Sequence, residues 1–306
     1  MKNPVTQLWH CCRWWLQLQK DGFFTPSDAM LQIGRVILPS RFAYRRAGRR
    51  LQQVADIQPL GEDLHRIRLL EHPLHFYWSG RIDNNLYFLI EQELDSSNPH
   101  CYITPPIQLH PESRVIDVGA CEGLFALRLL KEKRCDRIVC FEPLATMAQL
   151  IRRAARENHV ENQLKVESLA ASDQSGPVML VATENPDACR IERCEGAPSK
   201  ADATAVRLDD YLKENQLKLS PKDLIKIDAE GADLAVLEGA SRTIREHHPQ
   251  IAVTTYHADH HVSKIARLLR ELNPGYRFRL KGFSHWTTKP RPVLLQASSL
   301  PLEDAG

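Results

Sequence analysis

The chain has 306 residues, 43% of them hydrophobic and 25% charged, a balance that excludes wholesale disorder and accommodates one large domain or two modest ones. Forty Lys and Arg against 38 Asp and Glu leave a net charge of +2, too near neutral for a dedicated nucleic-acid binder. No stretch approaches the ~20 apolar residues of a membrane span, and the N-terminus lacks the apolar core and cleavage site of a signal peptide, so a cytoplasmic location is expected.

Residues 5–18 carry Leu8, Trp9, Cys12, Trp15 and Leu16 at helical spacing, which predicts an amphipathic helix with an aromatic face. Through position 55, nine basic residues (Lys2, Arg13, Lys20, Arg35, Arg41, Arg45, Arg46, Arg49 and Arg50) face only Asp21 and Asp28. This stretch therefore carries +7 and, with +2 overall, the remainder −5. A basic, Trp-bearing segment can make peripheral contact with an anionic membrane. A solvated helical face with its Trp side chains packed on the main domain fits better, because the Arg and Trp residues belong to different segments. Residues 1–105 read as a helical N-terminal extension with a substrate-side or accessory role, and 106–306 as the domain that carries the chemistry.

Beyond position 105 the pattern becomes regular. Apolar runs at 114–118 and 137–142, each ending in an acid, enclose a helical pattern at 124–132. A long helix is predicted over 144–159, a strand over 164–172 and an irregular polar stretch over 183–203. Strands at 224–228 and 251–256 flank a helix at 232–248, and a helix at 262–273 precedes strands at 276–282 and 292–297. Such alternation predicts an α/β fold with a doubly wound, mostly parallel sheet. The last two strands have no helix between them and predict a hairpin, hence one antiparallel strand. The eight cysteines, including the isolated Cys189/Cys194 pair, follow no spacing that demands disulfides or metal and read as reduced thiols.

Ligands of doubly wound sheets bind beyond the carboxyl ends of the strands. The first such end runs from Asp117 through Gly119, Ala120 and Cys121 to Gly123, a D-x-G-x-x-x-G turn feeding a helix. Glycines let the backbone turn tightly and approach a ligand, and helix N-terminal amides favour a carboxylate or phosphate. An acid stands where dinucleotide enzymes have their first glycine, which disfavours a pyrophosphate and suits a cationic amine or sulfonium. Glu142 ends the second strand 25 positions later, about the separation at which an acid accepts hydrogen bonds from both ribose hydroxyls. Pro143 stops that strand and starts the next helix.

These residues occur in order with Leu208-Asp209-Asp210 and with the run from Lys226 through Ile227, Asp228, Ala229, Glu230, Gly231, Ala232 and Asp233 to Leu234. Over about 105–300 the chain resembles the FkbM family of S-adenosylmethionine-dependent methyltransferases. The resemblance implies the seven-stranded, Rossmann-like methyltransferase sheet and O-methylation of a sugar, glycolipid, polysaccharide or polyketide-like acceptor, with S-adenosyl-L-methionine as cofactor. It implies cofactor contacts at Asp117, Gly119, Ala120, Cys121, Gly123 and Glu142, and at Ser168 and Leu169 after the third strand, where the adenine lies in this fold. Cys121 departs from the family's common Asn.

Asp228 and Glu230 leave the fourth strand on the same side and suit base work, hydroxyl binding or half of a metal site, although Glu230 is equally well read as a cap for the following helix. His257, at the end of the fifth strand, matches a Tyr-His pair of some family members and is expected to take the acceptor's proton. His260 and His261 read as helix-start residues facing water, His247 and His248 as last-turn residues. Asp209 and Asp210 read as helix caps or substrate contacts. Trp286 and Tyr276 read as core. Catalysis is assigned to His257, Asp228 and Glu230, with no metal, a small-molecule or glycan- or lipid-linked acceptor, and no nucleic acid. A cofactor-binding module without turnover and a divalent-metal-dependent O-methyltransferase are the alternatives, while a nicotinamide dehydrogenase is disfavoured by Asp117.

Overall fold

The computed structural model describes residues 4–19, 47, 49–182, 189–194, 201–258, 261–284, 287 and 289–301. Helix α1 (Pro4–Gln19) forms as its spacing predicts and docks through Cys11, which packs with Trp14 and Phe283. Trp9 and Leu16 stand 57% and 59% exposed, so only part of the aromatic face is covered. Arg13 lies over the Trp9 ring. Lys2, Lys20, Arg35, Arg41, Arg45 and Arg46 of the basic segment lie outside the described residues.

Strands β1 (Ala55–Pro59), β2 (Leu64–Leu69) and β3 (His75–Ser79) pair antiparallel in that order, followed by α2 (Asn84–Leu94). The extension is thus part sheet, where a helical one is expected. Its strands are only five or six residues long and charged in places (Asp56, Arg66, Arg68), so an alternating pattern is weak. One hydrophobic cluster runs from Ile67, Phe76 and Ile90 of this extension to Val115 and Leu294 of the main sheet and Phe125 of a helix covering it.

The main sheet begins with β4 (Arg114–Val118), α3 (Leu124–Lys131), β5 (Arg137–Phe141), α4 (Ala145–Glu157) and β6 (Leu164–Glu167). The predicted strand at 164–172 splits here. Its second half is β7 (Ala170–Ser172), which joins β8 (Gly176–Ala182), β9 (Cys189–Arg193) and β10 (Ala203–Arg207) in a separate sheet of order β7-β10-β8-β9. The stretch at 183–203, expected to be irregular, therefore contributes β9.

The chain returns through α5 (Leu208–Glu214) and β11 (Leu224–Ile227) to α6 (Asp233–Gly239), α7 (Ser241–His247), β12 (Gln250–Thr254), α8 (His261–Leu272), β13 (Arg277–Phe283) and β14 (Pro292–Ser298). The seven-stranded order is β6-β5-β4-β11-β12-β14-β13. All neighbours are parallel except β14, which runs antiparallel to β12 and β13, as the missing helix predicts. Strands β4, β11 and β12 are almost wholly buried, as expected of a sheet covered on both faces. Strand order reverses between β4 and β11, which opens a crevice at their carboxyl ends.

The helix predicted over 232–248 is broken at Ala240. Gly239 approaches β7 so closely that an added Cβ would stand 2.0 Å from the Ser172 carbonyl oxygen. The restart of α7 has no cap of its own. Asp209 supplies one from α5, its carboxylate accepting the Arg242 and Thr243 backbone N–H groups at 3.0 and 2.8 Å. This is a structural duty, and Asp209 is 1% exposed. Among the described residues no helix is long and apolar enough to cross a membrane, and all eight cysteines are free.

Asp209→Ala takes the acceptor from the Arg242 and Thr243 N–H groups at the start of α7 and should cost about 0.5–2 kcal/mol. Urea unfolding should show a lower midpoint at unchanged slope. An unmoved midpoint would mean that α7 starts without Asp209.

Candidate active site at the strand-order reversal

Three residues meet in the middle of the sheet. Register pairs Asp117 of β4 with Lys226 of β11 on one side and with Cys140 of β5 on the other, so the three side chains share a face. Lys226 Nζ lies 2.9 Å from the Asp117 carboxylate and donates to the Gly119 carbonyl at 2.7 Å. The Cys140 thiol lies 3.6 Å from the other carboxylate oxygen. Asp117 is fully buried, so its charge meets Lys226 rather than the crevice. Burial pushes its carboxyl up against the pull of Lys226. Burial works against the ammonium too, but Asp117 and then Asp228 hold Lys226 above its ordinary range.

The turn after β4 is shaped by this arrangement. Gly119 has φ +74°, and a Cβ there would stand 1.9 Å from the Asp228 carbonyl oxygen. The neighbouring strand end therefore requires glycine here, whereas the motif alone points to ligand approach. Gly123, also at φ +74°, faces Ile151 of α4 and starts α3 without any side-chain cap. Ala120 is buried beside them. Cys121 adopts φ +51°, which turns its N–H onto Glu142 Oε2 at 2.9 Å. Leu144 N–H donates to the other oxygen at 2.9 Å. Glu142 is 5% exposed, and burial pushes it up to about 7 although both backbone donors pull the other way. Ser168 and Leu169 lie half-buried between β6 and β7; Ser168 Oγ accepts from Arg152 and Leu169 packs on the core.

A second cluster forms beyond β11 and β12. His257 Nδ1 lies 3.0 Å from Asp233 Oδ2, and its Nε2 faces Asp228 Oδ1 and Glu230 Oε2, both at 3.5 Å. Asp228 Oδ1 also accepts from Thr254 Oγ1 at 3.1 Å, and Oδ2 from Tyr102 OH at 2.7 Å. His100 Nε2 stands 3.4 Å from that Oδ2. Burial disfavours the Asp228 carboxylate, yet the bond from His100, followed by the charges of His100, His257 and Lys226, holds it well below the ordinary range. Glu230 moves the other way: burial and then the Asp228 charge push it up to about 7. Burial alone would keep His257 neutral. Asp233 foremost, then Asp228 and Glu230, raise it to about 9.

The structure thus brings His257, Asp228 and Glu230 together, and Glu142 with the 117–123 turn. Glu230 does not take its alternative role as a cap of α6: that helix starts after Ala232 without a side-chain cap, and Asp233 braces the turn before it. This buried acid accepts the Ala229 and Gly231 N–H groups at 2.9 and 3.2 Å while bonding Thr254. His261 is 6% exposed, 3.8 Å from Asp233, and does not face water; His260 and Trp286 lie outside the described residues. Donor atoms of Asp228, Asp233 and His257 lie within 4.8 Å of one another, a set able to hold a metal ion. Asp233 and Lys226 stand inside the run from Lys226 to Leu234, where an acid at a helix start was the available signal. His100 and Tyr102 carried none, since their partner is more than a hundred positions away.

Lys226→Met would leave Asp117 buried without its cation and should destabilise the fold by about 3–5 kcal/mol. Chemical denaturation measures it. A loss below that of an ordinary surface substitution would mean that Asp117 is neutral in the wild type.

A family profile described as "Methyltransferase FkbM domain" matches residues 117–279. The chain is 26% identical over 200 residues to methyltransferase sdnD of Sordaria araneosa, covering 56% of this chain and 76% of that protein. Among solved structures it is similar to methyltransferase FkbM from Methylobacillus flagellatus KT, with 20% identity and a TM-score of 0.46, covering 70% of this chain. It spans only 54% of that protein's length. It is also similar to the O-methyltransferase from Bacillus cereus in complex with SAH, at 14% identity and TM-score 0.39, covering 71% of this chain and 92% of that one. Strand order, motif run and family match agree: the chain belongs to the FkbM methyltransferase family.

Proposed function

We propose that this protein transfers a methyl group from S-adenosylmethionine to a hydroxyl of a sugar, glycolipid, polysaccharide or polyketide-like acceptor. The observation that carries this reading is His257, held by Asp233 through Nδ1 with Nε2 turned to Asp228 and Glu230, across the strand-order reversal from Glu142.

The residues at the first strand ends fit the cofactor. Glu142, fixed by two backbone donors, keeps acceptor capacity for a ribose diol. The uncapped start of α3 offers amides to a carboxylate. Ser168 and Leu169 line the route on which an adenine would extend. Asp117 contributes indirectly, by fixing Lys226 and through it the Gly119 carbonyl. Bound there, the cofactor supplies an electrophilic methyl group on a sulfonium.

The protein's own task is then to orient the acceptor and take its proton. Asp233 holds the imidazole so that Nε2 is the working nitrogen. Asp228, kept ionised, and Glu230 accept hydrogen bonds from acceptor hydroxyls and steady the imidazolium that forms. Much of the rate enhancement comes from holding the attacking oxygen in line with the methyl group. Residues 98–104 of the extension supply part of the acceptor-side wall. Methyl-labelled S-adenosylmethionine offered with glycan, lipid and small-molecule hydroxyl panels tests the reading. Labelled methyl ethers are the expected product, whereas cofactor binding without turnover throughout would leave a binding module.

Glu142→Ala should weaken cofactor affinity by several-fold to about a hundredfold. Since Glu142 is raised to about 7, the wild-type cofactor affinity should grow as pH rises through 7, where the better acceptor forms. Calorimetry across pH 6–8 should find that slope missing in Glu142→Gln; an identical slope would remove Glu142 from the site.

His257 is protonated at neutral pH, so roughly one molecule in a hundred carries the free base at pH 7. The wild-type transfer rate should therefore climb about tenfold per pH unit toward 9 and then level. His257→Ala should lose about 10²–10⁴-fold and flatten that limb. The grouping of Asp228, Asp233 and His257 favours one second reading, a divalent ion shared by these donors. Activity lost to chelator and restored by Mg²⁺ or Mn²⁺ would select it and recast His257 as a ligand.

A further inference from the structure

Residues 98–104 belong to the extension, outside the 117–279 family match, yet they reach the acceptor-side cluster. Tyr102 OH donates to Asp228 Oδ2 at 2.7 Å, and His100 Nε2 stands 3.4 Å from the same oxygen. Both residues are buried, Tyr102 to 3% exposure and His100 to 8%. Their rings lie tilted at 44° to each other with centroids 5.5 Å apart, and His100 also packs edge-on to Tyr256 at 5.4 Å.

The segment is held to the far strands of the main sheet by buried polar side chains. Lys281 Nζ of β13 donates to the Ser96 and Cys101 carbonyls, both at 3.0 Å. Gln296 Nε2 of β14 donates to the Tyr102 and Thr104 carbonyls at 2.8 and 3.1 Å. Within the segment, Asn98 Oδ1 accepts the His100 N–H at 2.9 Å. Buried amines and amides are costly without partners, so these bonds fix the backbone on either side of His100 and Tyr102. The Tyr102 ring in turn lies 5.1 Å from Lys226 Nζ and shields the Asp117–Lys226 pair from water.

We infer that His100 and Tyr102 are positioning residues of the active site, which hold Asp228 Oδ2 so that Oδ1 faces His257 Nε2. The extension is then a working part of the catalytic centre. Among the described residues, Tyr102 and His100 of this segment meet the carboxylate at Oδ2, while Thr254 and His257 meet it at Oδ1. Removing the Oδ2 contacts frees the carboxylate to rotate and takes the defined acceptor from in front of Nε2. This inference rests on the proposed reading of Asp228 and His257 as acceptor-side groups.

The test reads the His257 ring directly and needs no acceptor. Full-length wild type, Tyr102→Phe and His100→Gln are ¹⁵N-labelled, and the His257 imidazole resonances are recorded at one fixed pH, assigned by their loss in His257→Ala. Tyr276→Phe, which removes a buried hydroxyl bonded to the Pro249 carbonyl, is the control. Shifted and broadened His257 resonances are expected in both segment variants and not in the control, with S-adenosylmethionine affinity by calorimetry kept within about twofold. His257 resonances coinciding with wild type in either folded segment variant would overturn the inference. If Tyr102→Phe does not fold, His100→Gln carries the same decision. Failure of the methyltransferase reading would appear separately, as a wild type that does not bind S-adenosylmethionine, and would leave the spectroscopic answer intact.

Discussion

Everything at the candidate site is hung on one ion pair in the middle of a parallel sheet. Asp117 and Lys226 stand opposite each other on β4 and β11, the two strands between which the order reverses. Taking both charges out of water is expensive, and a buried pair is a weak source of stability in itself. Its effect here is geometric. The ammonium also holds the Gly119 carbonyl, so the pair ties the turn after β4 to the strand that delivers Asp228 two residues later. The same close approach excludes any side chain at position 119.

Charge then alternates outward from that pair. Asp117 meets Lys226, Lys226 lies under the Tyr102 ring, Tyr102 bonds Asp228, and Asp228 faces His257, which is anchored by Asp233. Neighbouring carboxylates with such different surroundings separate in behaviour. Asp228, surrounded by donors and positive charge, stays ionised far below its usual range. Glu230, two positions on, is pushed up to about 7 by burial and then by that fixed negative charge. Environments that drive paired acids apart are how one site can keep a permanent anion beside a group that exchanges protons near neutrality.

Much of this was legible in the residues. Strands buried on both faces read as apolar runs, and β4, β5, β11 and β14 fall within a residue of where those runs end. Glu142 and His257 stand at strand ends, where such sheets place their ligands, so the pattern alone singles them out as candidates. The failures share a cause: a local pattern says nothing about what a distant segment demands. The helix at 232–248 has unbroken periodicity, yet Gly239 against Ser172 breaks it and Asp209 restarts it from another helix. The run at 164–172 looks like one strand, but its halves serve two sheets. His100 and Tyr102 sit in a stretch without periodicity, and their worth depends wholly on Lys281 and Gln296 far along the chain.

The D-x-G-x-x-x-G turn has packing reasons of its own. From the motif alone, Asp117 is expected to face a cationic ligand and Gly119 to make room for one. In the structure the acid is neutralised from behind, and the glycine makes room for the Asp228 carbonyl. What remains turned to the crevice is backbone: the uncapped start of α3, and Cys121 N–H locking Glu142. Because that lock is made by a main-chain donor in a left-handed conformation, it does not depend on the side chain at position 121. Asn tolerates positive φ better than most residues, so Cys at this position carries a small conformational cost. That cost is offset while Glu142, itself fixed by the Leu144 N–H, holds the Cys121 N–H, which couples the second strand end to the first as the ion pair couples the first to the fourth.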